Sequence, residues 1–328
     1  MSIRPLTAAA TGALLGMSAL FLTAAPAATA SERSARQTPE PVVDSAASPQ
    51  SDAPSPTAES RKPPHAPLTV AHRGASGDAP ENTLAAVDKA HEMGIDWVEN
   101  DVQRTKDGKL VVIHDTTLSR TTDVEDRFPD RSPWNVTDFT LKEIKTLDAG
   151  SWFGSEFKGE RIPTLAEYLD RITRNGQDLL LELKSPELYP DIERQTLGEL
   201  RTEGWLDRKH TKSKLIIQSF DKNAITKVHQ QNPAVKTGFL GTPKTNELKD
   251  YAKFADQINP TSADATKKYV DAVHALKGPH HKRLEVFTWT VNDAETARKV
   301  ADAGVDGIIS NKPDVVSDAV AKAATPTS

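Results

Sequence analysis

The chain has 328 residues, no cysteine and a formal net charge of −5. The lack of cysteine excludes disulfides, thiolate nucleophiles and cysteine zinc sites, and the acidic balance is not that of a nucleic-acid-binding protein. The length accommodates one domain of the size of an α/β barrel, about 250 residues, together with an N-terminal extension.

The first 66 residues differ in composition from the rest. Arg4 precedes an uncharged stretch rich in alanine and leucine, which ends in the small-residue site Ala28-Thr-Ala30. Residues 1–30 therefore predict a signal peptide cleaved after Ala30, and hence a secreted protein. The alternative is a retained membrane anchor, because no charge occurs between Arg4 and Glu32. Residues 31–66 are rich in serine, proline and alanine and predict a disordered linker.

Residues 67–318 alternate between short apolar runs and helical spacing. The first run, 68–71, is followed by a helix capped by Asn82 or Thr83 and then by a second strand at 96–102. Further strands are predicted at 110–113, 178–184, 215–220, 237–240, 257–259, 285–292 and 305–309, and helices at 165–172, 192–200, 223–231 and 294–303. Nine strand candidates with helices between most of them predict a (β/α)8 TIM barrel, an α/β fold, followed by a C-terminal tail at 319–328.

The second and third strands are predicted to form a hairpin. Their link, residues 105–108, is too short for a crossover helix, which needs about a dozen residues. If Thr105 faces Gly108, Glu99 lies directly opposite His114. Residues 116–162, irregular except for a short helix at 141–147, predict a small insertion on the functional face after this third strand.

Three carboxylates stand at strand ends. Glu99 and Asp101 share one face of the second strand because side chains alternate along a strand, and Glu182 stands near the end of the fourth. Crowded carboxylates repel, and a hard divalent cation (calcium or magnesium, or manganese) would relieve that repulsion. The alternative is that they are solvated strand-end charges or pair with Lys184.

Two histidines, His72 and His114, each follow an apolar strand beside those carboxylates. Histidine titrates near neutral pH, so the pair suits general acid–base catalysis, although a single strand-end histidine is more often structural. Arg73 and Lys184 add positive charge, which indicates an anionic substrate such as a phosphate ester. Trp289, at the end of an apolar strand, is a candidate for the pocket wall.

These residues stand in motifs that resemble the glycerophosphodiester phosphodiesterases, within the wider group of barrel phosphodiesterases that includes phosphatidylinositol-specific phospholipase C. The motifs cover about residues 68–315: HRG at 72–74, PENT at 80–83, ENDV at 99–102, TKDG at 105–108, HD at 114–115, ELK at 182–184, SF at 219–220, WTVN at 289–292 and VDGI at 305–308. One departure is Ser310-Asn311, where the family more often has Thr-Asp.

The resemblance implies hydrolysis of a glycerophosphodiester to sn-glycerol 3-phosphate and an alcohol. It implies acid–base catalysis by His72 and His114, and a divalent metal ion, calcium before magnesium or manganese, on the three carboxylates. Arg73 and Lys184 would bind phosphate, with Trp289 beside the substrate. In such enzymes the glycerol 2-hydroxyl attacks phosphorus to give a cyclic phosphate that water opens; which histidine acts first as base stays open.

The expected partner is a small-molecule glycerophosphodiester, with teichoic acid and lipid as alternative sources, and the expected state is a monomer without nucleic acid. Two other functions are open at this point. Aromatic residues in the insertion would suit a phospholipase-like enzyme acting on lipids. A non-catalytic barrel that only binds is the second alternative, and the intact set of charged motif residues argues against it.

Overall fold

The computed structural model describes residues 66–324. The predicted signal peptide and all but the last residue of the predicted linker lie outside that range. Nine strands occur within it: β1 (Leu68–Ala71), β2 (Trp97–Arg104), β3 (Leu110–Val112), β4 (Asp178–Leu183), β5 (Leu215–Ser219), β6 (Lys236–Leu240), β7 (Gln257–Asn259), β8 (Glu285–Thr288) and β9 (Gly307–Ser310).

Eight of these strands close into a barrel. Pairing runs in parallel from β2 through β4 to β9, and β1 is hydrogen-bonded to both β9 and β2, so the ring has no open edge. β3 is the additional strand and pairs antiparallel with the end of β2. The predicted (β/α)8 barrel with a hairpin strand is confirmed.

The described residues hold eleven α-helices: α1 (Leu84–Glu92), α2 (Val124–Arg127), α3 (Leu141–Ile144), α4 (Leu165–Asn175), α5 (Ile192–Thr202), α6 (Arg208–Ser213), α7 (Lys222–Gln231), α8 (Leu248–Tyr251), α9 (Lys267–His274), α10 (Ala294–Ala303) and α11 (Pro313–Ala324). α11 continues past residue 318, where a tail was expected, because Ala319 and Val320 are buried in the core. None of the helices in residues 66–324 combines the length and the apolar character that crossing a membrane requires.

Helix α4 shows how the sequence specifies the outer layer. Thr164 and Glu167 form a reciprocal capping box at its start, and Gly176 ends it with a left-handed conformation at φ +76°. The apolar positions recur every three or four residues and are all buried: Leu165, Tyr168, Leu169 and Ile172. Burial of each such side chain contributes roughly 1.5–3 kcal/mol of transfer free energy, which fixes the helix against the sheet.

Inside the barrel, an apolar floor lies beneath a polar upper layer. The floor consists of Val70, Trp97, Leu180, Ile216, Phe287 and Ile309. Along β2, Val98 and Val102 pack into the core cluster shared with the helices, whereas Trp97 faces the floor. By alternation, Glu99 and Asp101 share the inner face with Trp97 and stand nearer the strand's carboxyl end.

The predicted hairpin register is wrong by one residue. Val102 pairs with Val112 and Arg104 with Leu110, so Glu99 does not lie opposite His114. The cause is the turn: the Thr105 amide donates to the carbonyl of Lys109 at 2.9 Å, and Gly108 adopts φ +77°. This is a three-residue loop with a left-handed glycine rather than a turn closed between Thr105 and Gly108.

The insertion after β3 has its own small core. Leu118, Val136, Phe139 and Leu147 are completely buried there, and Trp134 packs against the same cluster. Phe128, Trp134 and Phe139 therefore stabilise the insertion. Trp152, which is 41% exposed, instead meets Phe153 edge to face at 5.6 Å, and Phe153 meets Phe157 in the same way.

Candidate active site

One pocket at the carboxyl ends of the strands gathers most of the predicted site residues. Its cavity of about 100 Å³ is lined by His72, Arg73, Glu99, His114, Glu182, Lys184, Gln218, Phe220, Leu240, Trp289, Thr290 and Ile309. The predicted residue outside this lining is Asp101, which lies with Glu99 and Glu182 in one carboxylate cluster. All eight residues proposed from the sequence are thus in one place.

Glu99, Asp101 and Glu182 are buried and present oxygen atoms within 4.8 Å of one another. Asp101 is the register partner of Glu182 across the β2–β4 pair. Burial and the neighbouring Asp101 charge raise the pKa of Glu182 to about 8, and the same two causes raise the pKa of Glu99. Oδ1 of Asp101 is buried and accepts no hydrogen bond. Buried, mutually repelling oxygens with an unused acceptor fit a hard divalent cation.

Two cations border the cluster. The backbone N–H of Arg73 donates to Oε2 of Glu99 at 2.9 Å, and the side-chain Nε of Arg73 lies 3.3 Å from Oδ2 of Asp101. Arg73 adopts the left-handed region at φ +57°, which costs a non-glycine residue conformational energy and is typical of functional sites. Nζ of Lys184 lies 2.9 Å from Oε1 of Glu182 and 3.7 Å from Oδ1 of Asp101.

Those cations set the ionisation of Asp101. Burial alone would raise its pKa, but Arg73 and Lys184 outweigh that effect and hold the pKa of Asp101 below its ordinary value. Lys184 therefore makes the salt bridge considered in the sequence, and it also faces the pocket. Both roles are compatible because an ammonium group has three donors.

His72 follows β1 at the rim of the pocket. Its Nδ1 lies 2.6 Å from Oδ1 of Asn311, and its Nε2 lies 4.0 Å from Oε2 of Glu99. Burial, together with the positive charge of Arg73, lowers the pKa of His72 to about 4. At neutral pH this imidazole is uncharged.

His114 follows β3 and has a different partner. Its Nδ1 lies 2.6 Å from Oδ1 of Asp115. Burial would raise the pKa of Asp115, but hydrogen bonds from Arg120 and His114 outweigh it and lower that pKa to about 2. The Asp115 carboxylate therefore fixes the orientation of the His114 ring through Nδ1.

Gln103 explains how His114 reaches the pocket despite the shifted register. Its amide Nε2 donates to three successive carbonyls, those of Ile113, His114 and Asp115, at 2.9, 2.9 and 2.7 Å. Oε1 of Gln103 in turn accepts from the Tyr189 hydroxyl at 2.7 Å. This buried amide bends the chain after β3, a contact that no motif in the sequence predicts.

Trp289 forms an aromatic wall with Phe220. The two rings meet edge to face with centroids 5.4 Å apart, and Trp289 Nε1 donates to the carbonyl of Asn259 at 2.9 Å. Phe220 is 49% exposed at the mouth of the pocket. An exposed aromatic ring beside a polar site offers contact area to the organic part of a substrate.

Several further residues of the site were not identified from the sequence as functional. Asn82, considered as a helix cap, has φ +59° and donates from Nδ2 to Oδ2 of Asp101 at 2.8 Å; Thr83 is the actual cap. Glu81 accepts from Arg73 at 2.9 Å, and Arg120 contacts both Glu81 and Asp115. The PENT and HD motifs were the only available signals for these contacts.

Comparisons with known proteins agree with this geometry. Residues 72–315 match the Glycerophosphoryl diester phosphodiesterase family. A glycerophosphodiester phosphodiesterase of Bacillus subtilis (strain 168) is 37% identical over 269 residues, covering 76% of this chain and 84% of that protein. One of Caldanaerobacter subterraneus subsp. tengcongensis is 38% identical over 258 residues, covering 78% of this chain and 98% of that protein.

A solved structure is also similar over the barrel. It is an Oleispira antarctica phosphodiesterase in complex with the product sn-glycerol-3-phosphate. The TM-score is 0.67 at 31% sequence identity, and the match covers 78% of this chain and 97% of that chain.

Proposed function

Because this chain belongs to the glycerophosphoryl diester phosphodiesterase family and is a phosphoric diester hydrolase, we propose a metal-dependent enzyme that releases sn-glycerol 3-phosphate and an alcohol from glycerophosphodiesters. The observation that carries the proposal is the convergence of His72, His114 and the carboxylate cluster on one pocket.

Glu99, Asp101 and Glu182 would hold the divalent cation, with calcium favoured and magnesium or manganese as alternatives, because all the ligand atoms are oxygen. When bound, such an ion supplies positive charge that stabilises negative charge on phosphoryl oxygens. Arg73 and Lys184 face the same pocket and would bind those oxygens from their side.

His72 is the proposed base of the first step. With Nδ1 directed at Asn311 and the ring uncharged, the lone pair of Nε2 is free to accept the proton of the glycerol 2-hydroxyl. The oxygen then attacks phosphorus, forming the O2–P bond of a cyclic phosphate while the bond from phosphorus to the alcohol oxygen breaks.

His114 is the proposed acid. The Asp115 carboxylate accepts from Nδ1 and orients the ring, and the proton on Nε2 would pass to the departing alkoxide. In the second step the roles reverse: His114 takes a proton from water, the water oxygen attacks phosphorus, and His72 returns its proton to O2 as the ring opens. The product is sn-glycerol 3-phosphate.

The substrate is proposed to be a small glycerophosphodiester, with wall teichoic acid and lipid as alternative sources. Trp152, exposed on the insertion, supports the lipid alternative, whereas Phe128, Trp134 and Phe139 pack into the core of the insertion and do not. Intact phospholipid in vesicles and its deacylated diester would be compared at equal concentration. Faster turnover of the vesicle substrate would favour the lipid enzyme.

The test of the central proposal is a panel of glycerophosphodiesters bearing choline, ethanolamine and glycerol, incubated with calcium, magnesium or manganese. Released sn-glycerol 3-phosphate is measured with a coupled dehydrogenase. Release from at least one diester supports the proposal; no release from any of them with all three ions contradicts it.

Secretion after cleavage at Ala30 remains our proposal for the cellular location, with a retained N-terminal anchor as the alternative. N-terminal sequencing of protein from the culture medium distinguishes the two: secreted protein should begin at Ser31. A monomer is proposed for the barrel, and light scattering after size exclusion tests it.

A further inference from the structure

Arg120, which comes from the insertion, makes four hydrogen bonds to two carboxylates. Its Nε and Nη2 donate to Oδ2 and Oδ1 of Asp115 at 2.6 and 3.0 Å. Its Nη1 and Nη2 donate to Oε2 and Oε1 of Glu81 at 2.8 and 2.7 Å. Both contacts are bidentate, the geometry that the planar guanidinium group alone provides.

Each of those carboxylates holds a residue of the active site. Oδ1 of Asp115 lies 2.6 Å from Nδ1 of His114, and Oε1 of Glu81 accepts from Nη1 of Arg73 at 2.9 Å. A continuous series of contacts of alternating charge therefore joins His114 to Arg73 through Arg120. His114 and Arg73 otherwise belong to separate loops, after β3 and after β1.

This geometry is more than a surface ion pair. Isolated exposed pairs contribute little, because solvent screens them and side-chain entropy opposes them. Here the two carboxylates are 27% and 12% exposed, and one guanidinium group satisfies both. Without Arg120, Glu81 would keep only its contact with Arg73, and Asp115 only its contact with His114, so each carboxylate would hold its partner less firmly.

We infer that Arg120 is a positioning residue: it aligns His114 for proton transfer to the leaving alkoxide and holds Arg73 against the phosphoryl group. The inference rests on the proposed function. Arg120 has two separable effects. Its contact with Asp115 (the Asp115 branch) acts on proton transfer by His114, and its contact with Glu81 (the Glu81 branch) acts on phosphate binding by Arg73.

Leaving-group dependence separates the branches. Glycerophosphocholine releases an alkoxide that needs a proton, whereas the p-nitrophenyl ester of glycerol 3-phosphate releases a stable phenolate. General acid catalysis contributes about 10²–10⁴-fold where it is needed. For Arg120→Ala we expect kcat to fall about 100-fold or more with the choline ester and less than about 10-fold with the nitrophenyl ester.

Single-branch variants make the test sharper. Asp115→Asn should reproduce the dependence on leaving group with little change in KM. Glu81→Gln should raise KM for both esters and leave the ratio of their kcat values near that of the wild type. Arg120→Lys keeps the positive charge but cannot form the two bidentate contacts, and its kinetics should resemble those of Arg120→Ala.

Arg127→Lys is the matched control, since Arg127 pairs with Asp123 in the same insertion at 3.0 Å and touches no pocket residue. It should retain wild-type kinetics, and melting temperatures establish that each variant folds. If Arg120→Ala does not fold, Arg120→Lys and Asp115→Asn decide the question. If Arg120→Ala lost the same factor in kcat on both esters, or lost none, the inference would be overturned. Activity of the wild-type enzyme on the same esters would still uphold the proposed function. A wild-type enzyme inactive on both esters would overturn the inference, and the full diester panel would then decide whether the proposed function falls with it.

Discussion

Nδ1 of His72 lies 2.6 Å from Oδ1 of Asn311, a residue 239 positions further along the chain. The same Oδ1 accepts from the Ser76 hydroxyl at 3.0 Å, and the backbone N–H of Asn311 donates to Oδ1 of Asn292 at 2.9 Å. Because Nδ1 of His72 faces this acceptor oxygen, we infer that Nδ1 carries the hydrogen. A neutral asparagine orients the ring without favouring its charged form.

Replacing Asn311 with aspartate should make His72 easier to protonate. Burial and Arg73 lower the pKa of His72 to about 4, and a carboxylate at 2.6 Å would oppose that shift by about one unit or more. Because a base must be unprotonated, the acid limb of the kcat/KM profile should move to higher pH in Asn311→Asp. The measurement is a pH profile with saturating metal ion; an unmoved acid limb would contradict the assignment of His72 as base.

Removing the His114 side chain should abolish turnover without unfolding the protein. We expect His114→Ala to lose about 10²–10⁴-fold in kcat on alkyl esters, because the proposed general acid is removed. His91→Ala is the matched control, since His91 lies on the exposed face of α1. Full activity of His114→Ala would rule out the proposed acid.

Chelation should stop the reaction, and calcium, magnesium or manganese should restore it.

With the pKa of Glu182 raised to about 8 from 4.5, the ion-free folded state binds more protons than the unfolded state between those values. The stability of ion-free protein should therefore fall as pH rises from about 4.5 to about 8. Added calcium competes with that proton, so its stabilisation should grow over the same interval.

Thermal unfolding with EDTA and with calcium at several pH values measures both trends. Glu182→Gln removes one of the two carboxyl groups with a raised pKa and should weaken the pH dependence of the ion-free protein. Turnover unaffected by exhaustive chelation would refute the cation site.

Asp148 should stabilise the insertion through its backbone contacts. Partial burial would raise its pKa, but amides of Ser151, Gly150 and Gly159 donate to it, at 2.8–2.9 Å, and lower the pKa to about 2. Asp148→Asn loses part of this set and should cost about 1–3 kcal/mol.

Because the folded pKa is depressed from 3.8, the Asp148 contribution is present above that pH and is lost as pH falls towards 2. Denaturant unfolding at pH 7 and pH 3 should show a smaller difference between the wild type and Asp148→Asn at pH 3. The exposed Asp126→Asn is the control and should change neither value. Equal differences at both pH values would contradict this account.

The barrel and the eight site residues could be predicted because both depend on local pattern. Apolar runs mark strands, and a charged residue at a strand end must lie on one rim of the sheet. Helix α9 also carries a pattern in the sequence, since Tyr269, Val270 and Val273 are spaced for one helical face after the cap Thr266. Its polar first turn resembles a loop, which obscures that pattern.

The remainder depends on contacts that spacing does not encode. The register of β2 and β3 depends on the left-handed conformation of Gly108, which the four letters TKDG allow but do not require. Arg120 reaches Glu81 across 39 residues, and Asn311 reaches His72 across 239. Loop side chains that meet only in the folded state leave no periodic signal.

The pairing of β1 with β9 has a consequence for biosynthesis. A chain made from its N-terminus carries His72, His114 and all three carboxylates long before β9 exists, yet Asn311 follows directly after that strand. Nascent or truncated chains that stop short of Asn311 would contain every acid, base and ligand and still lack an oriented base. We therefore expect hydrolysis to begin only once the last strand has joined and the ring of strands is complete.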